Sequence, residues 1–236
     1  MDIILVPGLW LDASSWDRVV PLLETAGHRA HPITLPGMES READRSGVTR
    51  SDCVDTIVAA IDASVAANGG QVAIVGHSMG AGLAHAAVDA RPDHVARAIY
   101  VGGFPDPDGS VGHFPSVNGE IRLPDWSEFD DADLVDLDDE ARARFVERAI
   151  PSPARITSDS QQLSDPRRYQ VPVTMVCPEF TAEMLKGWVA EDMEPVRELK
   201  AIENVTYVDL PTGHWPQFTK PAELAQMIID AVGAGR

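Results

Sequence analysis

Val72-Ala73-Ile74-Val75-Gly76-His77-Ser78-Met79-Gly80-Ala81-Gly82-Leu83-Ala84 decides how the rest of the chain is read. An apolar run ends in a glycine, a serine stands between two glycines, and small residues suited to a helix start follow. That is the strand–turn–helix setting of a G-x-S-x-G nucleophile elbow. The tight turn forces strained dihedrals on the serine, and the flanking glycines let neighbouring backbones approach. Ser78 Oγ is then expected at the carboxyl end of a strand, beside the positive end of a helix dipole. The pentapeptide alone arises by chance, and the junction is what gives it weight.

Outward from the elbow, short apolar runs alternate with helical patterns. Strands are expected at Ile3–Val6, Arg29–Leu35, Val72–Val75, Ala98–Val101, Val171–Cys177 and Val205–Leu210. Near-continuous apolar runs suit parallel strands buried on both faces. Helices are expected near Ser15–Thr25, Ser51–Ala67, Met79–Ala90, Thr181–Leu199 and Pro221–Val232. Strands alternating with helices predict a parallel sheet covered on both sides. Right-handed crossovers give the order 2-1-3-4-5-6, with the site at the crevice beside the first strand.

Residues 105–170 break the alternation. Pro, Gly and Ser are frequent there, and Pro124–Arg148 holds ten acidic and three basic residues, a net of −7. Leu134, Leu137 and Phe145 give it a thin apolar seam on one expected helix. The charges themselves read as a solvated face. The whole segment reads as a mostly helical cap, or lid, over Ser78, inserted in a single domain of residues 1–236.

Composition bounds the function. The 236 residues include 37 acidic and 19 basic ones, a formal charge of 19 − 37 = −18. Nucleic acid and anionic membrane surfaces need clustered Lys and Arg, so neither is expected as a partner. No apolar run approaches the roughly 18 residues of a membrane span, and Met1-Asp2-Ile3-Ile4 lacks a signal-peptide start. Cys53 and Cys177 stand far apart without metal-ligand spacing. The expectation is a cytoplasmic protein without metal or cofactor that acts on a small molecule.

A serine hydroxyl needs a base. Of seven histidines, His214 in Pro211-Thr212-Gly213-His214-Trp215-Pro216 follows the last strand, where this sheet type places catalysis. His28, His31, His77, His85, His94 and His113 have simpler places at strand ends, in the turn, on a helix or in the insertion. An oxyanion needs two backbone N–H donors. Met79 follows the nucleophile, and the N–H of Leu9 or Trp10 is free after the Pro7-Gly8 turn, itself readable as an ordinary strand-ending turn. Trp10 and Trp215 are expected to wall an apolar pocket, if they do more than pack the core edge.

These residues together resemble the α/β-hydrolase superfamily, near its plant methylesterase and hydroxynitrile-lyase branch. Val6-Pro7-Gly8-Leu9-Trp10 with Ser14-Ser15-Trp16, Ala26-Gly27-His28, Leu35-Pro36-Gly37, the elbow, Phe104-Pro105 and Gly213-His214 follow that branch in order. The resemblance implies an α/β-hydrolase fold with a Ser…acid…His triad and backbone oxyanion donors Leu9 and Met79. It also implies that two N-terminal strands common in the superfamily are missing. Pro7-Gly8 replaces the usual His-Gly, which leaves the donating amide in place. Trp215 stands where hydroxynitrile lyases carry lysine, which disfavours cyanohydrin cleavage. The usual aspartate is absent from Cys177-Pro178-Glu179-Phe180, so Glu179 is the candidate acid. Asp106, more weakly Asp108, and a Ser–His dyad remain as alternatives. The expected activity is a serine hydrolase cleaving a small apolar or uncharged ester, thioester or lactone through an acyl-enzyme. The alternatives are a cofactor-free lyase, dehydratase or oxygenase using the same pocket, and a non-catalytic receptor.

Overall fold

A six-stranded parallel sheet organises the chain in the computed structural model, which describes residues 1–234. The strands are β1 (Asp2–Val6), β2 (Arg29–Pro32), β3 (Val72–His77), β4 (Val95–Val101), β5 (Glu120–Ile121), β6 (Ser152–Pro153), β7 (Val173–Cys177) and β8 (Val205–Asp209). The large sheet runs β2-β1-β3-β4-β7-β8 with every neighbouring pair parallel, while β5 and β6 form a small antiparallel ribbon. Counting only its own strands, the large sheet has the expected order 2-1-3-4-5-6.

Nine α-helices accompany these strands among the described residues. They are α1 (Val20–Thr25), α2 (Arg50–Asn68), α3 (Met79–Ala90), α4 (Asp139–Arg148), α5 (Arg155–Ser158), α6 (Ala182–Ala190), α7 (Arg197–Ala201), α8 (Pro216–Thr219) and α9 (Pro221–Gly233). Side chains alternate along each strand, so the central strands feed two cores. Ile4, Val6, Ile74 and Tyr100 join Ile57 and Ile61 of α2 and Leu83 of α3. Ile3, Leu5, Val75 and Ile99 face the other way, onto Leu23 of α1 and Leu224 and Ile228 of α9. Each fully buried Leu or Ile contributes about 1.5–3 kcal/mol. Two-sided burial explains the unbroken apolar runs of β1 and β3. At the edges, every residue of β2 and β8 is half-buried or exposed.

Boundaries follow local chemistry. Thr49 and Asp52 form a capping box at the start of α2, and Gly69 ends it in the left-handed conformation at φ 68. The helix expected at Ser15–Thr25 is split into a 3₁₀ turn at Ala13–Trp16 and α1, whose first turn holds Pro21. The one expected at Thr181–Leu199 is also split. Asp192 takes φ 59, and Pro195, without an N–H, sits in a 3₁₀ turn between α6 and α7.

In residues 105–170 the regular structure is chiefly helical, but turns and loops make up most of the segment. Pro105, Pro107, Pro115, Pro124, Pro151, Pro153 and Pro166 interrupt any longer helix. The one long helix, α4, buries Phe145 and leaves Asp139 and Glu140 in solvent, while Leu134 and Leu137 precede it rather than lie on it. Among the described residues no helix is long and apolar enough to cross a membrane.

Candidate active site

Ser78 stands where β3 gives way to α3, at φ 53 and ψ −128. A non-glycine residue held there costs about 1–3 kcal/mol, so its surroundings must enforce it. The Ser78 N–H donates to the Val101 carbonyl at 2.9 Å. A Cβ on Gly76 would lie 2.5 Å from the Gly80 oxygen, and one on Gly80 would lie 2.4 Å from the Pro7 oxygen. Only glycine fits at either position, which is the physical content of the pentapeptide.

His214 arrives on the loop after β8, with Nε2 2.8 Å from Ser78 Oγ and Nδ1 2.8 Å from Glu179 Oε1. Glu179 leaves the end of β7, and β7 pairs with β8, so the two loops emerge side by side. With the proton on Nδ1 donated to Glu179, Nε2 is free to accept from the serine hydroxyl. This arrangement raises the nucleophilicity of a serine. The rival carboxylates lie elsewhere. Asp106 accepts from Arg50 Nη2 at 2.6 Å, and Asp108 accepts from the Leu163 N–H at 2.8 Å.

The oxyanion-loop candidates separate. Trp10, at φ 65, donates its N–H to Ser152 Oγ at 2.9 Å. Among the described residues the Leu9 N–H finds no protein acceptor, and Met79, first residue of α3, has no intrahelical one. Leu9, Trp10, Ser78, Glu179 and His214 share a pocket of about 600 Å³ with Phe114, Ile121, Phe129 and Asp133. Trp215 is not in its wall. The indole is buried and stands edge-on to His214, with ring centroids 5.0 Å apart, and packs against Trp126, Phe129 and Phe145. Aromatic neighbours on that side leave it no route to the pocket surface.

Three contributions escaped the sequence reading. His77, read there as part of the turn, is fully buried and donates from Nε2 to the His214 carbonyl at 2.7 Å, while Gln217 Nε2 lies 3.3 Å from its Nδ1. Burial, with the neighbouring His214, pulls its pKa down to about 3, so the ring is neutral. The insertion also grips the histidine loop, because the N–H of His214 donates to the Asp133 carbonyl at 2.8 Å and that of Gly213 to Val135 at 3.0 Å. Finally, the Asp133 side chain faces the site, and burial raises its pKa against the opposing pull of His214. Only the acidic character of that stretch was visible in sequence; which carboxylate turns inward depends on chain path. Ligand atoms of Asp133, Glu179 and His214 lie within 4.8 Å of one another, close enough for one cation, yet Glu179 and His214 already face each other.

A model of the alpha/beta hydrolase family matches residues 3–227. The chain belongs to the alpha/beta hydrolase family. An esterase of Oryza sativa subsp. japonica is 37% identical over 100 residues, 42% of this chain and 37% of that protein. A pyrethroid hydrolase of Sphingobium wenxiniae is 25% identical, across 99% of this chain and 88% of its own. Among solved structures, a methylesterase from Arabidopsis superposes with a TM-score of 0.77 at 18% identity, covering 99% of each chain. An extracellular alpha/beta-hydrolase from a Paenibacillus species gives 0.74 at 19% identity, over 98% of each. Both structural likenesses show that this family member shares their fold.

Proposed function

We propose that this alpha/beta hydrolase is a serine hydrolase that cleaves a small apolar or uncharged ester, thioester or lactone through an acyl-enzyme. One observation carries the reading: an unbroken chain from Ser78 Oγ through His214 to Glu179, with 2.8 Å at each link, opening into a pocket whose walls are apolar in part, with Leu9, Phe114, Ile121 and Phe129. Ser78 Oγ attacks the carbonyl carbon while its proton passes to His214 Nε2. The oxyanion is held by the N–H groups of Leu9 and Met79. The tetrahedral intermediate collapses as His214 returns the proton to the leaving oxygen or sulfur, leaving the acyl group on Ser78. Water then gives a proton to His214 and attacks the acyl carbon. A second collapse releases the acid and restores the serine. Glu179 holds the tautomer and stabilises the imidazolium. The names of the esterase and hydrolase relatives agree with this chemistry at low identity.

The carboxylate of Glu179 at His214 Nδ1 supports a nucleophilic Ser78, and so favours this reading over a cofactor-free lyase, dehydratase or oxygenase using the same pocket. Residues 105–170 act in this reading as a lid, since Phe114, Ile121 and Phe129 line the pocket with Ser78.

The test is mass spectrometry of the protein quenched during turnover of a short p-nitrophenyl ester. An acyl adduct is expected on the peptide holding Ser78, and Ser78→Ala should lose about 10⁶-fold in kcat. Wild-type turnover in Ser78→Ala overturns the reading.

A further inference from the structure

Resting on that reading, the charges of the pocket narrow the substrate further. Four carboxylates line it, on Glu120, Glu128, Asp133 and Glu179, against one guanidinium, Arg122. Arg122 is engaged with Glu120, which also takes Arg45 at 2.7 Å, and Glu179 faces His214. Glu128 is exposed, and its carboxylate accepts only the Asp125 N–H at 3.3 Å, whereas Asp133 is half-buried. The Asp133 carboxylate accepts only the Asp130 N–H, at 3.3 Å, and among the described residues no Lys or Arg pairs with it. It is nevertheless held in place, because its own backbone carbonyl accepts the His214 N–H at 2.8 Å. The pocket thus presents a fixed carboxylate, without a countercharge, close to the base.

We propose that Asp133 is a specificity-determining residue, whose carboxylate selects esters bearing a neutral or cationic group near the carbonyl and rejects those bearing a carboxylate. Coulomb interaction in a part-desolvated pocket is much stronger than in water, and a like charge a few ångströms away weighs directly on binding. The same field acts on the product: hydrolysis leaves a new carboxylate beside Asp133, which favours its departure. The overall negative charge of the chain repels anionic substrates at long range, but salt screens that effect beyond about 8 Å. At physiological salt the discrimination is therefore local, and one residue can be tested.

The experiment compares kcat/KM for three p-nitrophenyl esters of similar length: neutral pentanoate, anionic hemisuccinate and a cationic trimethylammonium butyrate. The wild-type protein is expected to favour the cationic and neutral esters over the anionic one by about tenfold or more. Asp133→Asn keeps the shape and an acceptor for Asp130, and is expected to collapse the ranking chiefly through KM of the anionic ester. Glu140→Gln removes one charge from the solvent face of α4, outside the pocket lining, and is expected to leave the ranking intact. An unchanged ranking in Asp133→Asn overturns the proposal while turnover of the neutral ester keeps the hydrolase reading. Equal loss of ranking in Glu140→Gln overturns it in favour of net charge. Failure of the wild-type protein to cleave any of the three overturns the hydrolase reading and this inference with it.

Discussion

Ser78, His214 and Glu179 come from three strand ends, and each is fixed by a different device. Backbone strain presents the serine, the buried neutral ring of His77 anchors the His214 carbonyl, and the pairing of β7 with β8 delivers the glutamate. Glu179 is the member whose removal is most diagnostic. In Glu179→Gln the amide cannot both hold the Nδ1–H tautomer and stabilise an imidazolium, so kcat for a neutral ester should fall by roughly 10⁴-fold. Steady-state kinetics on the folded variant measures this, and a loss below tenfold sinks Glu179 as the acid. At this scale the sequence was informative where chemistry is local. The elbow and its glycines are contiguous, and His214 sits on a recognisable loop. Glu179 was legible through the resemblance, chain order and the expected neighbouring of its strand with that of His214, while the contact itself forms only in the fold. The role of His77 was hidden because its partner, the His214 carbonyl, is 137 residues away.

The insertion is bound to the site through both backbone and side chains, and β6 shows how. Ser152, at its start, accepts the Trp10 N–H at 2.9 Å, while the Ile150 N–H donates to the Trp10 carbonyl at 3.0 Å. Trp10 is thus braced on both sides at φ 65, a conformation its bulky side chain disfavours. With the Trp10 amide occupied, Leu9 is the loop amide left to face an oxyanion. Ser152→Ala leaves a buried N–H unpaired, a cost of about 1–3 kcal/mol, and frees the loop. We expect a lower melting temperature together with a loss in kcat larger than any change in KM. Affinity for a boronic-acid transition-state analogue should fall in step with kcat. A variant that loses stability but retains kcat and analogue affinity assigns Ser152 a packing role only. Element by element, periodicity and apolar runs located the six sheet strands, because two-sided burial leaves a strong signature. The ribbon β5–β6 escaped notice, since two-residue strands have no periodicity, and Pro195 and Asp192 broke a helix that the apolar pattern alone would continue.

Across the whole molecule, the excess of acid conceals a buried polar network that joins distant parts of the chain. Glu198 of α7 accepts from His85 Nε2 of α3 at 3.0 Å, from Arg168 Nε at 3.1 Å and from the Tyr169 hydroxyl at 3.2 Å. Arg168 also reaches Asp89 at 3.2 Å, and Tyr100 of β4 lies 3.0 Å from His85 Nδ1. A net charge of −18 was readable from composition, but which carboxylates are turned inward was not, because pairing partners as far apart as His85 and Glu198 meet only in the folded chain. Burial alone would push the Glu198 carboxyl up; the hydrogen bonds and charges of His85 and Arg168 outweigh it and hold the pKa at about 2, against an ordinary 4.5. A carboxylate depressed in the folded state stabilises the protein at pH values above its ordinary pKa. That contribution declines as pH falls from 4.5 toward 2, where the unfolded chain binds the proton first. A shift of this size corresponds to about 3 kcal/mol. Glu198→Gln should therefore lower the unfolding free energy by about that amount at neutral pH, with the gap to wild type closing progressively below pH 4.5. Self-repulsion among the other carboxylates changes with pH too, but almost equally in both proteins, so the difference between their denaturant midpoints isolates Glu198. A gap that stays constant from neutral pH down to 2 would show that the glutamate contributes packing and neutral hydrogen bonds rather than charge.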